Sequence, residues 1–238
     1  MGRGINALSR GVSSLMEKRI EDEQQRLALE YQMLQNQISP HFIYNTLNSI
    51  KWMATIQHAP GVAEMVTALS RLLKSVSKGA QKLVPLAEEF ALLEDYFTIQ
   101  RYRYGGTISL ETPVLDEAYR NYLIPRFTLQ PLAENAIFHG IEPKDGVGKL
   151  WVTIERAQES GDLLISMADD GVGMEEEQIR RLLAGPGQDG GGDGPFRHVG
   201  LWSVHRLLQL SFGPDYGLTV RSTPGQGTAV TMRLPEQR

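Results

Sequence analysis

An α+β architecture follows from three features of the sequence. Most of the first hundred residues carry helical periodicity, short strand-like runs with helical runs between them appear beyond Gly105-Gly106, and the chain closes on two successive strand-like runs. Strands mixed with helices and ending in this way describe one sheet covered by helices, an α/β sandwich, preceded by a helical hairpin. At 238 residues the chain can hold one large domain or two modest ones. The expected division is a coiled-coil helix over 1–30, a helical region over 31–105 and the sandwich over 106–238.

From Ile5 to about Gln57 the pattern is helical and sparse in breakers. Ile5, Leu8, Val12 and Leu15 recur at spacings of three and four, a narrow seam of coiled-coil type, and Leu27, Tyr31, Leu34 and Ile38 form a second. The two are out of phase around Arg19 to Glu23, where the register is expected to shift. A stripe so narrow needs another helix to cover it, which predicts a parallel homodimer; a solvated, partly frayed arm is the alternative. Pro60 and Gly61 mark a turn after His58, and Val62, Met65, Val66, Leu69, Leu72, Leu73 and Val76 restore a helix-period face. These first two helices are expected to pair as an antiparallel hairpin, two hairpins making a four-helix bundle. A third helix is predicted from Leu86 to Tyr104, stopped by Gly105-Gly106, the expected domain boundary. Strands are predicted at Ile108 to Glu111, Leu150 to Glu155, Leu163 to Ala168, Leu218 to Ser222 and Ala229 to Leu234. Helices are predicted at Pro125 to His139, with the proline in the first turn, at Glu175 to Leu183 and at Leu201 to Leu210.

Composition narrows the chemistry. A formal charge of −4 argues against general attraction to nucleic acid. Without cysteine there are no disulfides, thiolate metal sites or cysteine nucleophiles, which suits a reducing cytoplasm. No apolar run is long enough to span a bilayer, and the N-terminus has no apolar core behind its charges, so it does not read as a secretory signal.

Four stretches bear on function. Asp169-Asp170-Gly171-Val172-Gly173 follows the strand-like LLISMA. A carboxylate there can accept from an exocyclic amine while glycines admit a ligand against bare backbone; a tight turn explains the same residues. Gly185 to His198 holds six glycines in fourteen positions and opens onto a helix, which describes a linker or a phosphate cradle. Its spacing is neither that of a dinucleotide fold nor that of a P-loop. Glu134 and Asn135 interrupt an otherwise core-like helix, where an amide oxygen can ligate magnesium; an exposed helix face is the plainer account. Gly225-Gln226-Gly227-Thr228 precedes the last strand and alone reads as a hairpin turn.

Taken together and in this order, the four resemble the GHKL ATPase fold. The match extends further, covering roughly Tyr31 to Pro235. LQNQISPHFIYNTLNSI is similar to the phosphoacceptor box of the YesM/LytS-like sensor histidine kinases, and LQPLAENAIFHGI to their asparagine box. DDGVGM resembles their first glycine box, and HVGLWSVHRLLQLSFGPDYGLTVRSTPGQGTAVTMRLP their second with the terminal strands. Ile5 to Ile20 is more weakly similar to the last helix of a HAMP module. The resemblance implies ATP and Mg2+ as cofactors, phosphorylation of His41 with Asn45 beside it, and Asn135 as the magnesium ligand. It implies that Glu134 orients the asparagine or helps accept a proton, and that His139 belongs to the nucleotide site. Asp169 would contact adenine, Gly171 and Gly173 would lie beneath the base, and Gly200, Leu201, Gly227 and Thr228 would complete the pocket. It further implies a homodimer, a response-regulator aspartate as phosphate acceptor, and membrane segments upstream in a parent protein that place this part at the cytoplasmic face. Three departures stand out: His198-Val199-Gly200 where most such kinases have G-x-G, Ser203 where this branch usually has asparagine, and Phe42 where many others carry an acid.

Pro40 beside His41 has a physical reading. Proline lacks an N–H and clashes with the carbonyl four residues back, so the helix is expected to bend there and leave the next turn accessible. His41 and Asn45, four apart, share a face. Neutral imidazole carries the nitrogen lone pair that attack on phosphorus needs. The alternatives are a nucleotide-binding dimeric scaffold without phosphotransfer and, less well matched to the helical first hundred residues, an ATPase of the DNA-repair type.

Overall fold

The computed structural model describes residues 40–77, 83–184 and 199–236. They belong to two compact units divided between Met53 and Ala54. The first unit comprises most of helix α1 (Pro40–Ile56), with the proline in the first turn, where its missing N–H is not needed. Thr46 and Ser49 donate back to the carbonyls of Phe42 and Asn45, at 2.9 and 3.0 Å. Phe42 and Trp52 are each 68% exposed, so the helix carries uncovered apolar surface. The two coiled-coil seams, the register shift, the bend before Pro40 and the glycine-rich stretch Gly185 to His198 lie outside the described residues.

The second unit opens with the end of α1. Ala59 N–H donates to Ala54 and His58 N–H to Thr55, with His58 at φ 55°, the paired bonds of a Schellman stop. Pro60 then starts α2 (Pro60–Ser77), as the turn signal predicts. Strand β1 (Leu83–Pro85) leads into α3 (Leu86–Arg103), which runs antiparallel to α2. Tyr102 donates to Glu64 at 2.6 Å near one end and Arg71 pairs with Asp95 at 2.9 Å further along. Ion pairs with so exposed a partner contribute roughly 0–1 kcal/mol, so apolar contact counts for more: Leu72 of α2 packs against the core cluster to which Leu93 and Phe97 of α3 belong.

Gly105 and Gly106, both at positive φ, turn the chain into β2 (Ile108–Glu111). They do not divide the core. Leu86, Phe90, Leu93, Tyr96 and Phe97 of α3 pack in the same cluster as the sheet, so the third helix is part of the sandwich. A single-turn helix, α4 (Glu117–Arg120), capped by Asp116, leads to β3 (Leu123–Pro125). Strands β1 and β3 pair antiparallel with a proline at opposite corners: Leu83 faces Pro125 and Pro85 faces Leu123.

Here the expected helix from Pro125 is corrected. Pro125 closes a strand, Phe127 takes φ 60°, and α5 begins at Leu129. A proline with fixed φ serves a strand end as readily as a first helical turn, and the sequence pattern does not separate the two. Helix α5 (Leu129–Asn135) continues as a π-helical turn, Ala136–Ile141, then a 3₁₀ turn, Glu142–Lys144.

Strands β4 (Gly148–Arg156) and β5 (Leu163–Asp169), helices α6 (Glu176–Ala184) and α7 (Val199–Phe212), and strands β6 (Gly217–Thr223) and β7 (Gly227–Leu234) follow, each within two residues of expectation. The sheet order is β2-β4-β5-β7-β6, parallel only between β2 and β4. Alternation sends Val152, Met167 and Val230, aligned across three strands, into the core beneath α3, α5 and α7. The neighbouring row, Trp151, Ala168, Ala229 and Arg221, lies on the other face. No helix among the described residues is long and apolar enough to cross a membrane.

Candidate functional site

The helix around Asn135 is built with two faces. Leu129, Leu132, Ala133, Ala136 and Ile137 are buried in the core. Glu134, Asn135, Phe138 and His139 share the opposite face and line a cavity of about 570 Å³. Pro131, Glu142 and Pro143 bound it from the same segment, Leu182 from α6, and Gly200 and Leu201 from the first turn of α7. Leu201 is buried in the core whereas Gly200 is exposed, so α7 is anchored while its N-terminal amides border the cavity. Gln130 donates to Glu134 at 2.9 Å and steadies that carboxylate. The π-helical turn just after Asn135 is the backbone irregularity that helices carry at functional sites.

A second group of residues adjoins the first through Gly140. Asp169 ends β5 with its carboxylate buried, Oδ1 accepting from Gly171 N–H at 2.8 Å. Burial pushes this carboxyl up to about 6, against the lowering pull of the Gly171 and Thr228 amides; Asp170 adds to the rise and Lys144 opposes it. A side chain on Gly140 would stand 2.7 Å from Asp169 Oδ1. One on Gly171 would overlap the Gly140 backbone, whose carbonyl accepts from Val172 at 2.9 Å. Gly173, at φ +69°, lies against the Thr223 carbonyl, and Gly227, at φ +88°, against that of Asp169. Thr228 turns its hydroxyl to Ser222, at 2.9 Å, and Ser222 accepts from Met174 N–H at 2.8 Å. The loop after β5, the turn before β7 and the π-helical turn are thus keyed together backbone to backbone.

Glycine is required here first by that packing. A Gly171→Ala protein is expected to lose about 3 kcal/mol, the upper range for an overpacked methyl, read as a lowered urea midpoint.

The expected residues fall into three places. Glu134, Asn135, His139, Gly200 and Leu201 share the cavity; Asp169, Gly171, Gly173, Gly227 and Thr228 form the keyed cluster beside it. His41 and Asn45 lie on α1 in the other unit, where His41 is exposed and the Asn45 amide nitrogen sits 3.3 Å from Nδ1 and 3.5 Å from Nε2. Asp169, Gly227 and Thr228 also border a shallower hollow of about 350 Å³ with Trp151 and Arg221, residues of the open sheet face. The buried Asp169 carboxylate turns toward Gly140 instead, so that hollow is not the continuation of the cavity.

Gly140, Asp170 and Ser222 had no role assigned to them from the sequence. Asp170 Oδ1 accepts from Lys149 N–H at 2.8 Å and its carbonyl accepts from Lys144 at 2.9 Å, fixing the loop from the far side. Gly140 stood inside the quoted LQPLAENAIFHGI, but only the π-helical turn brings it against Asp169.

The donor set suits a magnesium nucleotide. Among the described residues no three His, Asp or Glu side chains converge as a protein-only metal cage. Magnesium keeps several waters and bridges phosphates, so one or two protein oxygens, here the Asn135 amide with the Glu134 carboxylate beside it, are enough for it. The cavity combines that amide with apolar Phe138 and Leu201 and a helix N-terminus.

Comparison with known proteins adds an independent finding. Residues 29–108 match the family described as "Histidine kinase". Residues 124–238 match "Histidine kinase-, DNA gyrase B-, and HSP90-like ATPase". The chain is similar to the sensor histidine kinase YesM of Bacillus subtilis, 32% identical over 235 residues, covering 99% of this chain and 38% of the relative. It is also similar to the sensor histidine kinase YpdA of Escherichia coli, 31% identical over 235 residues, covering 97% and 39%. It thus spans about two-fifths of the length of these curated relatives. Among solved structures, the histidine kinase domain of a blue-light activated histidine kinase from Erythrobacter litoralis aligns at 19% identity and a TM-score of 0.44, over 82% of this chain and 95% of that one.

Proposed function

The chain belongs to the sensor histidine kinase family, and from that premise we propose that it is an ATP-dependent protein-histidine kinase that phosphorylates its own His41 and passes the phosphoryl group to an aspartate of a response regulator. The observation that carries the reading is the pairing of a cavity lined by Asn135 and the α7 N-terminus with an exposed histidine on a separate unit. Magnesium, when bound, would neutralise phosphate charge at Asn135. Asp169 would accept from the adenine amine, and the amides at the start of α7 would meet the phosphates. Gly171 and Gly173 hold the loop beside the base, with Gly227 and Thr228 behind it.

At the acceptor, the bond that forms joins an imidazole nitrogen to phosphorus and the bond that breaks joins phosphorus to the leaving oxygen of ADP. The amide of Asn45 lies beside both ring nitrogens. An amide in that place can hold the ring, or the phosphate formed on it, in position. Glu134, braced by Gln130, orients the asparagine helix face or takes the proton released as the ring is phosphorylated.

The uncovered Phe42 and Trp52 on α1 support a homodimer through the N-terminal helices. That the chain spans about two-fifths of relatives named sensor kinases supports a longer parent protein whose membrane segments set this portion at the cytoplasmic face.

Incubation with Mg-ATP followed by peptide mapping tests the reading. The expected product is an acid-labile, base-stable phosphate on the peptide that contains His41. Bound nucleotide with no such phosphate would replace the kinase with a nucleotide-regulated scaffold. An Asn135→Ala protein is expected to lose at least about tenfold of the nucleotide affinity that magnesium adds, since losing a ligand costs no less than losing an outer-shell partner, as measured by titration calorimetry with and without EDTA.

A further inference from the structure

The helix that carries Asn135 is not capped by its own residues. The first amides of a helix lack partners within it and are ordinarily met by the side chain just before. At α5 that residue is Thr128, in αR conformation with no capping bond; its hydroxyl donates to the Pro125 carbonyl at 3.1 Å. The amides are met from α3. Glu89, 1% exposed, accepts from Phe127 N–H at 2.8 Å through Oε1, and from Thr128 N–H at 2.9 Å and Leu129 N–H at 3.2 Å through Oε2. Both carboxylate oxygens are engaged, so the start of α5 is fixed in position and in rotation.

The same turn is tied on its other side. Arg126, itself buried, donates to the Ser75 carbonyl on α2 and to Glu88 Oε1 on α3, each at 2.7 Å. Phe127 between them takes φ 60°, a conformation a bulky residue adopts only where its surroundings impose it. Burying ionised groups is a poor way to gain stability, because desolvation offsets the attraction. Desolvation accordingly raises the Glu89 pKa, with the three amides opposing it. A local serine or aspartate would cap the helix at less cost. What the buried arrangement supplies is a single geometry, referred to helices α2 and α3.

We propose that Glu89 is a positioning residue, holding the asparagine helix in the pose in which Asn135 serves the metal nucleotide, with Arg126 referring that pose to the end of α2. The inference rests on the cavity being the nucleotide site. Asn135 is six residues past Leu129 on one short helix, so rotation at the capped end is carried directly to the cavity.

The test measures ADP affinity of the full chain by calorimetry, in magnesium and in EDTA, well below the melting temperature. Wild type is compared with Glu89→Gln, Glu89→Asp and Asp95→Asn. Asp95 is a buried carboxylate on the same helix whose partner is Arg71, so its loss reports instability alone. Glu89→Gln is expected to lose about tenfold of the magnesium-linked gain in affinity, the scale for a group that orients a metal ligand. Glu89→Asp, which keeps the charge but falls short of the three amides, loses less; Asp95→Asn keeps the gain. Equal gains in the Glu89 variants and in Asp95→Asn overturn the proposal, and if Glu89→Gln does not fold, a full gain in Glu89→Asp overturns it. If wild type itself binds ADP with no gain from magnesium, the metal role of Asn135 fails instead. Glu89 is then judged in EDTA, where weaker binding by both its variants than by Asp95→Asn supports positioning and equal binding refutes it.

Discussion

A His41→Gln protein is expected to take up no label from γ-labelled ATP under conditions that label the wild type, while binding nucleotide equally well. The side chain is exposed and takes no part in the core, so stability should stay within about 0.5 kcal/mol. Glutamine keeps the helix and a polar side chain of similar reach, but its amide nitrogen has no free lone pair to offer phosphorus. Removing a nucleophile rather than weakening it costs on the order of a thousandfold or more in rate. The paired measurements separate failure of chemistry from failure of binding: label lost with affinity intact assigns the acceptor. Label undiminished would overturn the assignment of His41.

The second large effect is expected at Asp169, where two pH slopes of opposite sign should appear. Burial pushes its carboxyl up to about 6 in the folded protein, whereas an unfolded carboxyl titrates near its ordinary value of 3.8. Between those values the folded chain holds the proton that the unfolded chain has released. Stability of the nucleotide-free protein therefore falls as pH rises from about 4 to about 6 and is level above. Adenine's exocyclic amine bonds more strongly to the ionised carboxylate than to the protonated one, so nucleotide affinity should rise over the upper part of that range. Asp169→Asn should remove both slopes and weaken binding about 10- to 100-fold at pH 7, the worth of a hydrogen bond to a charged group. Thermal melts and calorimetry across pH 4 to 8 would read both. Slopes that persist in the Asn protein would mean another group titrates.

Much of this architecture is legible in the residues because periodicity is a local property. The strand Ile108–Glu111 coincides with expectation, and the other four strands of the large sheet differ only at their ends. What stayed hidden depends on distant partners. The ladder of β1 and β3 joins two three-residue strands some forty residues apart, too short to show alternation. The true start of α5 is set by Glu89, a residue that in sequence is one more acid in the first turn of α3. The glycine boxes announced a site, but not that Gly140 is what their bare backbone meets. The place of α3 in the sandwich core was likewise invisible, because the Gly105-Gly106 pair punctuates the chain without interrupting the packing.

The prolines at opposite corners of the small ladder have a consequence for association. An open strand edge can template a neighbouring chain through its row of free donors. Pro85 and Pro125 each remove one amide hydrogen from a strand of only three residues, leaving neither edge with a full set for an incoming strand. The ribbon is self-terminating: neither of its own edges offers an incoming strand a continuous row of donors.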